Sequence, residues 1–140
     1  MRVINSSGFV RKFSIFTIFM AGVHFILENL HTLVFGQSFW GLLPDYIAVA
    51  LMITGGLMVL KDPRVIGILC GAWGFAFCLH YRSWAWRFEE MLEGASTQVN
   101  DTTMYVLLFT MPISIIGFAV SLLLCLAERS EKIDRAERDD

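Results

Sequence analysis

Four stretches of about twenty residues with almost no charge dominate this chain, and they leave it very few ways to fold. A helix rises about 1.5 Å per residue, so about 20 apolar residues cross the roughly 30 Å hydrocarbon layer of a bilayer. Lipid offers the backbone no hydrogen-bond partners, which restricts such stretches to helices or closed barrels. These runs are longer and more uniform than barrel strands. The expected fold is therefore all-α, an integral membrane four-helix bundle. A length of 140 residues gives room for one domain, 56% of it hydrophobic and 17% charged, with the charge gathered at the two ends and in two short loops.

The spans are expected at about 13–34, 39–60, 65–84 and 104–126, which makes residues 1–127 a transmembrane domain and 128–140 a charged cytoplasmic tail. Arg2, Arg11 and Lys12 precede an apolar stretch as in a signal peptide. That stretch is too long, carries His24 and Glu28, and lacks a small-residue cleavage site, so it reads as the first span. Pro44 and Asp45 stand where they would bend or cap the outer end of the second helix, and Asn100 or Asp101 where they would cap the fourth. Asn100-Asp101-Thr102 also matches a glycosylation acceptor. Pro112 removes the partner of the Leu108 carbonyl and predicts a kink.

Lysine and arginine placement sets the orientation. Arg2, Arg11, Lys12, Lys61, Arg64, Arg129, Lys132, Arg135 and Arg138 fall on one side, nine against the two of Arg82 and Arg87 on the other. Both termini are expected in the cytoplasm. On the outer side, Trp84, Phe88 and Met91 recur at helical spacing with Gly94 beyond them, which predicts a short interfacial helix. In the tail, Glu128–Lys132, Glu131–Arg135 and Asp134–Arg138 are pairs four apart that favour a solvated helix continuing the fourth span. No basic cluster interleaved with aromatics is present, so nucleic acid is not an expected partner. Cys70, Cys78 and Cys125 all lie inside apolar segments. The first two are roughly 12 Å apart along one helix, too far for a disulfide.

Gly67, Gly71 and Gly74 give the third helix a face of small residues that admits close approach, with Gly55 and Gly56 as the expected matching surface on the second. No internal repeat argues for a transporter built from inverted halves.

The informative residues are polar ones inside apolar runs. His24, Glu28 and His31 share one face of the first helix, at spacings of four and three. Ionisable groups at membrane depth are costly and turn toward the bundle interior and a partner. His80, Tyr81 and Arg82 on the third helix are the expected partners, and Asp45 starts the second helix at a similar level. Together with Trp73 they define an expected polar pocket leaning toward the outer side. One reading is a brace, Glu28 pairing with Arg82 or a histidine. A second is a transition-metal centre ligated by His24, Glu28, His31 and His80, or a haem held by two facing histidines. A third is proton-coupled transport with Glu28 as the titrating carboxylate. A fourth is a pocket for a quinone or lipid, with Trp73, Trp84, Trp86, Phe75, Phe77 and Tyr81 lining its apolar part.

Over residues 13–92 the chain resembles the DoxX-like group of small four-helix membrane proteins. The likeness is carried by Gly22, Phe39-Trp40-Gly41-Leu42-Leu43-Pro44, the Gly55-Gly56 pair, and a tight turn into a glycine-bearing third helix. Members often carry an acidic residue before the paired glycines, where Leu51 and Met52 stand here. The resemblance implies a compact bundle and, in some relatives, quinone-linked redox complexes or assembly roles. The sequence thus leads to a subunit or accessory protein of a membrane complex, or a homo-oligomer, with a pocket for a lipophilic ligand.

Overall fold

A computed structural model describes the backbone of residues 7–95 and 97–139 and the side chains of residues 8–95 and 97–130. The described residues form four long helices, α1 (Ser7–Phe35), α2 (Phe39–Lys61), α3 (Gly67–Leu92) and α4 (Gln98–Asp139), with a short 3-10 turn, Pro63–Val65, between α2 and α3. Local chemistry fixes the ends. Gly36 and Gly94 follow α1 and α3 with φ of 73° and 72°, left-handed backbone that glycine adopts without a Cβ penalty. Ser38 caps α2, its hydroxyl accepting from the Gly41 N–H at 3.3 Å. The Asp62 carboxylate accepts from the Arg64 N–H at 3.0 Å and so caps the 3-10 turn.

Several boundaries differ from the sequence expectation. α1 and α4 each begin six residues earlier than expected, at Ser7 and Gln98. Apolar length marks the part of a helix that avoids water, whereas polar residues continue the same coil at little cost. Thr97, not Asn100 or Asp101, caps α4, its hydroxyl accepting from the Asn100 N–H at 3.3 Å. α2 keeps its expected start at Phe39 and ends one residue later, at Lys61, with Pro44 inside it. The separate outer interfacial helix is absent: α3 runs unbroken to Leu92, because nothing between Tyr81 and Leu92 is a glycine or proline that would break it. The charge pairs expected in the tail involve side chains outside the described ones.

The helices form a four-helix bundle in which α1 packs on α2, α3 on α4, and α2 on α3. Its centre is Trp73, 1% exposed, among Ala21, Met52, Leu69, Ala72 and Leu124. The indole N–H donates to the Thr17 hydroxyl at 3.0 Å and so ties α3 to α1 across the interior. α4 reaches this indole because Gly117 has no side chain, and a Cβ there would overlap the ring. The glycine faces do not match as expected. Gly55 meets Ile68 and Leu69 of α3, but Gly56 faces Ser14 and Ile18 of α1, Gly74 faces Phe118 of α4, and Gly71 faces open space. Gly55, Gly56 and Gly74 thus each serve a different helix.

Polarity is distributed inside out. Ser14, Thr17, Ser114 and Ser121 are buried, each hydroxyl donating to a carbonyl of its own helix at 2.8–3.0 Å. Leu33, Trp40, Tyr105 and Phe109 are at least 70% exposed. In water, so much contiguous apolar surface would drive association. All four helices are long and apolar enough to span a membrane, which is compatible with a multi-pass membrane protein.

Candidate functional site

Helix geometry assembles the site. His24 and Glu28 are one turn apart on α1, and His31 follows three residues on. The turn at 36–38 reverses the chain, so Asp45, six residues into α2, lies level with Glu28, seven residues before the end of α1. His80 of α3 enters from across the bundle. The result is a cavity of about 410 Å³ at the end of the bundle where the 36–38 and 93–97 loops lie.

At its inner end four side chains meet. His24 Nε2 lies 3.3 Å from Asp45 Oδ1, and His24 Nδ1 lies 3.3 Å from His80 Nε2. The two imidazoles are tilted by 48° with centroids 5.2 Å apart. His80 Nδ1 is 2.7 Å from the Ser114 hydroxyl, which in turn donates to the Thr110 carbonyl at 3.0 Å. One donor atom from each of His24, Glu28 and Asp45 falls within 4.8 Å of the others. Imidazole and carboxylate are ordinary ligands of divalent first-row metals.

The outer end has a different character. His31 Nε2 is 3.1 Å from the Thr103 hydroxyl of α4. Arg87 donates to Asn100 Oδ1 at 2.9 Å and faces Glu90 at 3.7 Å, while the Asn100 amide donates to Glu90 at 2.5 Å. His31 Nδ1, Gln37 Oε1 and Arg87 Nε are buried here without a hydrogen bond of good geometry. The Gln37 side chain lies within hydrogen-bonding reach of His31, so Arg87 Nε is the atom of this ledge that a polar group brought by something else would satisfy, an unsatisfied buried polar atom costing about 1–3 kcal/mol. Between the two polar ends the walls are apolar: Leu27, Trp40, Leu79, Trp86, Val106 and Leu107.

Of the residues expected from sequence, His24, Glu28, His31, Asp45, His80 and Arg82 all line this cavity. Two do not. Tyr81 is 54% exposed on the outside of α3, stacked between Phe77 and Trp84 in a ladder that Phe88 extends. Trp73 lies beneath the site, against a recess of about 20 Å³ that also touches His24 and His80. Of the expected aromatic wall Trp86 lines the cavity, joined by Trp40, whereas Phe75, Phe77, Tyr81 and Trp84 do not. Arg82 does not brace Glu28, since its guanidinium lies 4.6 Å over the Trp86 ring. The metal set also changes. Asp45 joins His24 and Glu28, His80 bonds to His24 rather than standing beside it as a ligand, and His31 is held by Thr103. With His24 and His80 bonded directly to each other, no porphyrin plane fits between them. Sequence reasoning missed Gln37, Arg87, Asn100 and Thr103. The last is readable in hindsight from Thr103, Val106, Thr110 and Ser114, which form one helical stripe of hydroxyl-bearing or small side chains.

No family model, curated protein or solved structure matches the chain.

Proposed function

We propose that this chain is a multi-pass membrane protein that binds a lipophilic small molecule with a polar head group, of quinone or lipid type, as a subunit or accessory protein of a membrane complex. The cavity carries this reading. Its volume of about 410 Å³ suits a small organic ligand, its middle is apolar, and its outer ledge holds the buried Arg87 Nε, which has no hydrogen-bond partner among the described residues. A quinone carbonyl would accept from the Arg87 and His31 nitrogens there, while a tail would leave between helices into lipid. The direct test is titration of the purified full chain in detergent with a short-tailed benzoquinone, read by quenching of Trp40 and Trp86 and by isothermal calorimetry. One saturable site is expected, weakened about tenfold or more by Arg87→Leu, a loss of about 1.4 kcal/mol. Linear, non-saturating partition would overturn the proposal.

We further propose that both termini face the cytoplasm, so that the cavity opens toward the outer side. The nine-to-two bias of basic residues supports this. In intact cells, with Cys70, Cys78 and Cys125 replaced by alanine, Ala95→Cys should react with a membrane-impermeant maleimide and Ser130→Cys should not. The reverse pattern would invert the orientation.

A further inference from the structure

The hydrogen-bond chain running inward from Asp45 has a proton count that does not close on its own. A neutral imidazole carries one N–H and one lone pair. If His24 Nε2–H donates to Asp45, then His24 Nδ1 must accept from His80 Nε2–H, and His80 Nδ1 must accept from Ser114. The Ser114 hydroxyl has a single hydrogen and cannot then donate to the Thr110 carbonyl, which lies 3.0 Å away. Reversing every donor resolves this. His24 Nδ1–H donates to His80 Nε2, His80 Nδ1–H donates to Ser114, and Ser114 donates to Thr110, with both imidazoles neutral. That arrangement leaves His24 Nε2 as a bare lone pair aimed toward Asp45, where two lone-pair donors would repel. A cation between them, a proton or a metal ion, removes that repulsion.

We propose that His24 Nε2, Glu28 and Asp45 bind a divalent first-row transition metal such as Zn²⁺ at the inner end of the cavity. Three observations converge on this. One nitrogen of His24 and one oxygen each of Glu28 and Asp45 already lie within 4.8 Å of one another, and small side-chain rotations would bring them to the roughly 3.3–3.6 Å separations of ligands about 2.0–2.2 Å from a tetrahedral metal. Two carboxylates sit together inside an apolar bundle, among the described residues without a guanidinium or ammonium hydrogen-bonded to either, and a divalent ion would balance both charges. The His24–His80–Ser114 chain supplies the N–H acceptor that a metal-bound imidazole uses to fix its tautomer and ring orientation. Three protein ligands leave a coordination position open toward the cavity. The site stands on its own residues and does not depend on which molecule fills the apolar part of the cavity.

The experiment uses the full chain in detergent, stripped with chelator and titrated with Co²⁺ as a visible probe and then with Zn²⁺ in competition, with elemental analysis of the Zn²⁺-loaded protein. One metal per chain and a ligand-field band that Zn²⁺ abolishes are expected. Glu28→Gln and Asp45→Asn, which keep shape, should each weaken Co²⁺ binding at least about 100-fold. His80→Leu takes away none of the three ligands but removes the acceptor for His24 Nδ1–H, and should weaken binding by about 10–100-fold. His31→Ala should leave binding unchanged, which separates this donor set from a wider one that includes His31. Helix content and elution volume confirm that each variant is folded. Absence of stoichiometric metal on folded wild-type protein would overturn the proposal, as would unaltered binding by Glu28→Gln and Asp45→Asn. A bare proton on His24 as the missing cation is the outcome in which neither metal binds. Quinone titration of the metal-free protein fails or succeeds independently, so the two readings are separable.

Discussion

Replacing Trp73 by alanine is expected to remove about 3–5 kcal/mol of stability, measured by unfolding in mixed detergent micelles as the anionic fraction rises. The indole is the largest fully buried side chain, and every helix has a claim on it: Thr17 of α1 accepts its N–H, Met52 of α2 belongs to the same buried cluster, and Gly117 of α4 leaves room for its ring. Phe13 and Phe16 stack against it with centroids 6.3 and 6.1 Å away. Removing it opens a void that four rigid helices cannot close. Trp73→Phe should cost far less, about 1–2 kcal/mol, because the Thr17 hydroxyl keeps its bond to the Phe13 carbonyl at 2.9 Å.

Coupling with Gly117 makes this more than a statement about size. A Cβ at Gly117 would overlap the Trp73 ring, so Gly117→Ala should destabilise the wild type by displacing the indole or parting α3 from α4. In a Trp73→Ala background the same methyl enters a void and should cost little or even recover stability. The expected non-additivity is about 1–3 kcal/mol. Strictly additive effects would mean that α4 does not sit on this ring.

The same residues show what was legible in the chain. The four helices were readable because crossing length is a property of composition, and His24, Glu28 and His31 because spacings of four and three keep residues on one face. Asp45 followed from counting back from the loop. Of His80, Tyr81 and Arg82 only Tyr81 turned away, for a reason within the same geometry: successive helix residues are about 100° apart, so it points outward while its two neighbours reach the cavity. The residues that share a face with His80 are Trp73 below and Ser83 and Arg87 above, and all three line the cavity or its underlying recess. Asn100 was out of reach. It had a local explanation as a helix cap, and only the packing of α4 on α3 sets its amide between Arg87 and Glu90. The pairing of glycines was out of reach for a similar reason, since a bare helix surface does not name the neighbour that uses it.

If the cavity is a ligand site, filling it should abolish binding without harming the fold. Val106 is suited to this test: it is half-buried on α4, faces the cavity between Leu107 and Thr103, and is not among the polar groups of either end. An indole at this position would project into the apolar waist, where Leu27, Leu79 and Trp86 form the opposite wall, and needs no core side chain to move. Val106→Trp is therefore expected to lower benzoquinone affinity by about 100-fold or more, or about 2.8 kcal/mol, with unfolding shifted by less than about 1 kcal/mol. Val106→Ala, which enlarges the waist, should change affinity by less than about tenfold. Metal binding by His24, Glu28 and Asp45 should survive both substitutions, because no ligand is touched. Retained quinone affinity in a folded Val106→Trp protein would mean that the ligand sits on the exposed apolar outside of the helices, and that Arg87 Nε serves something smaller.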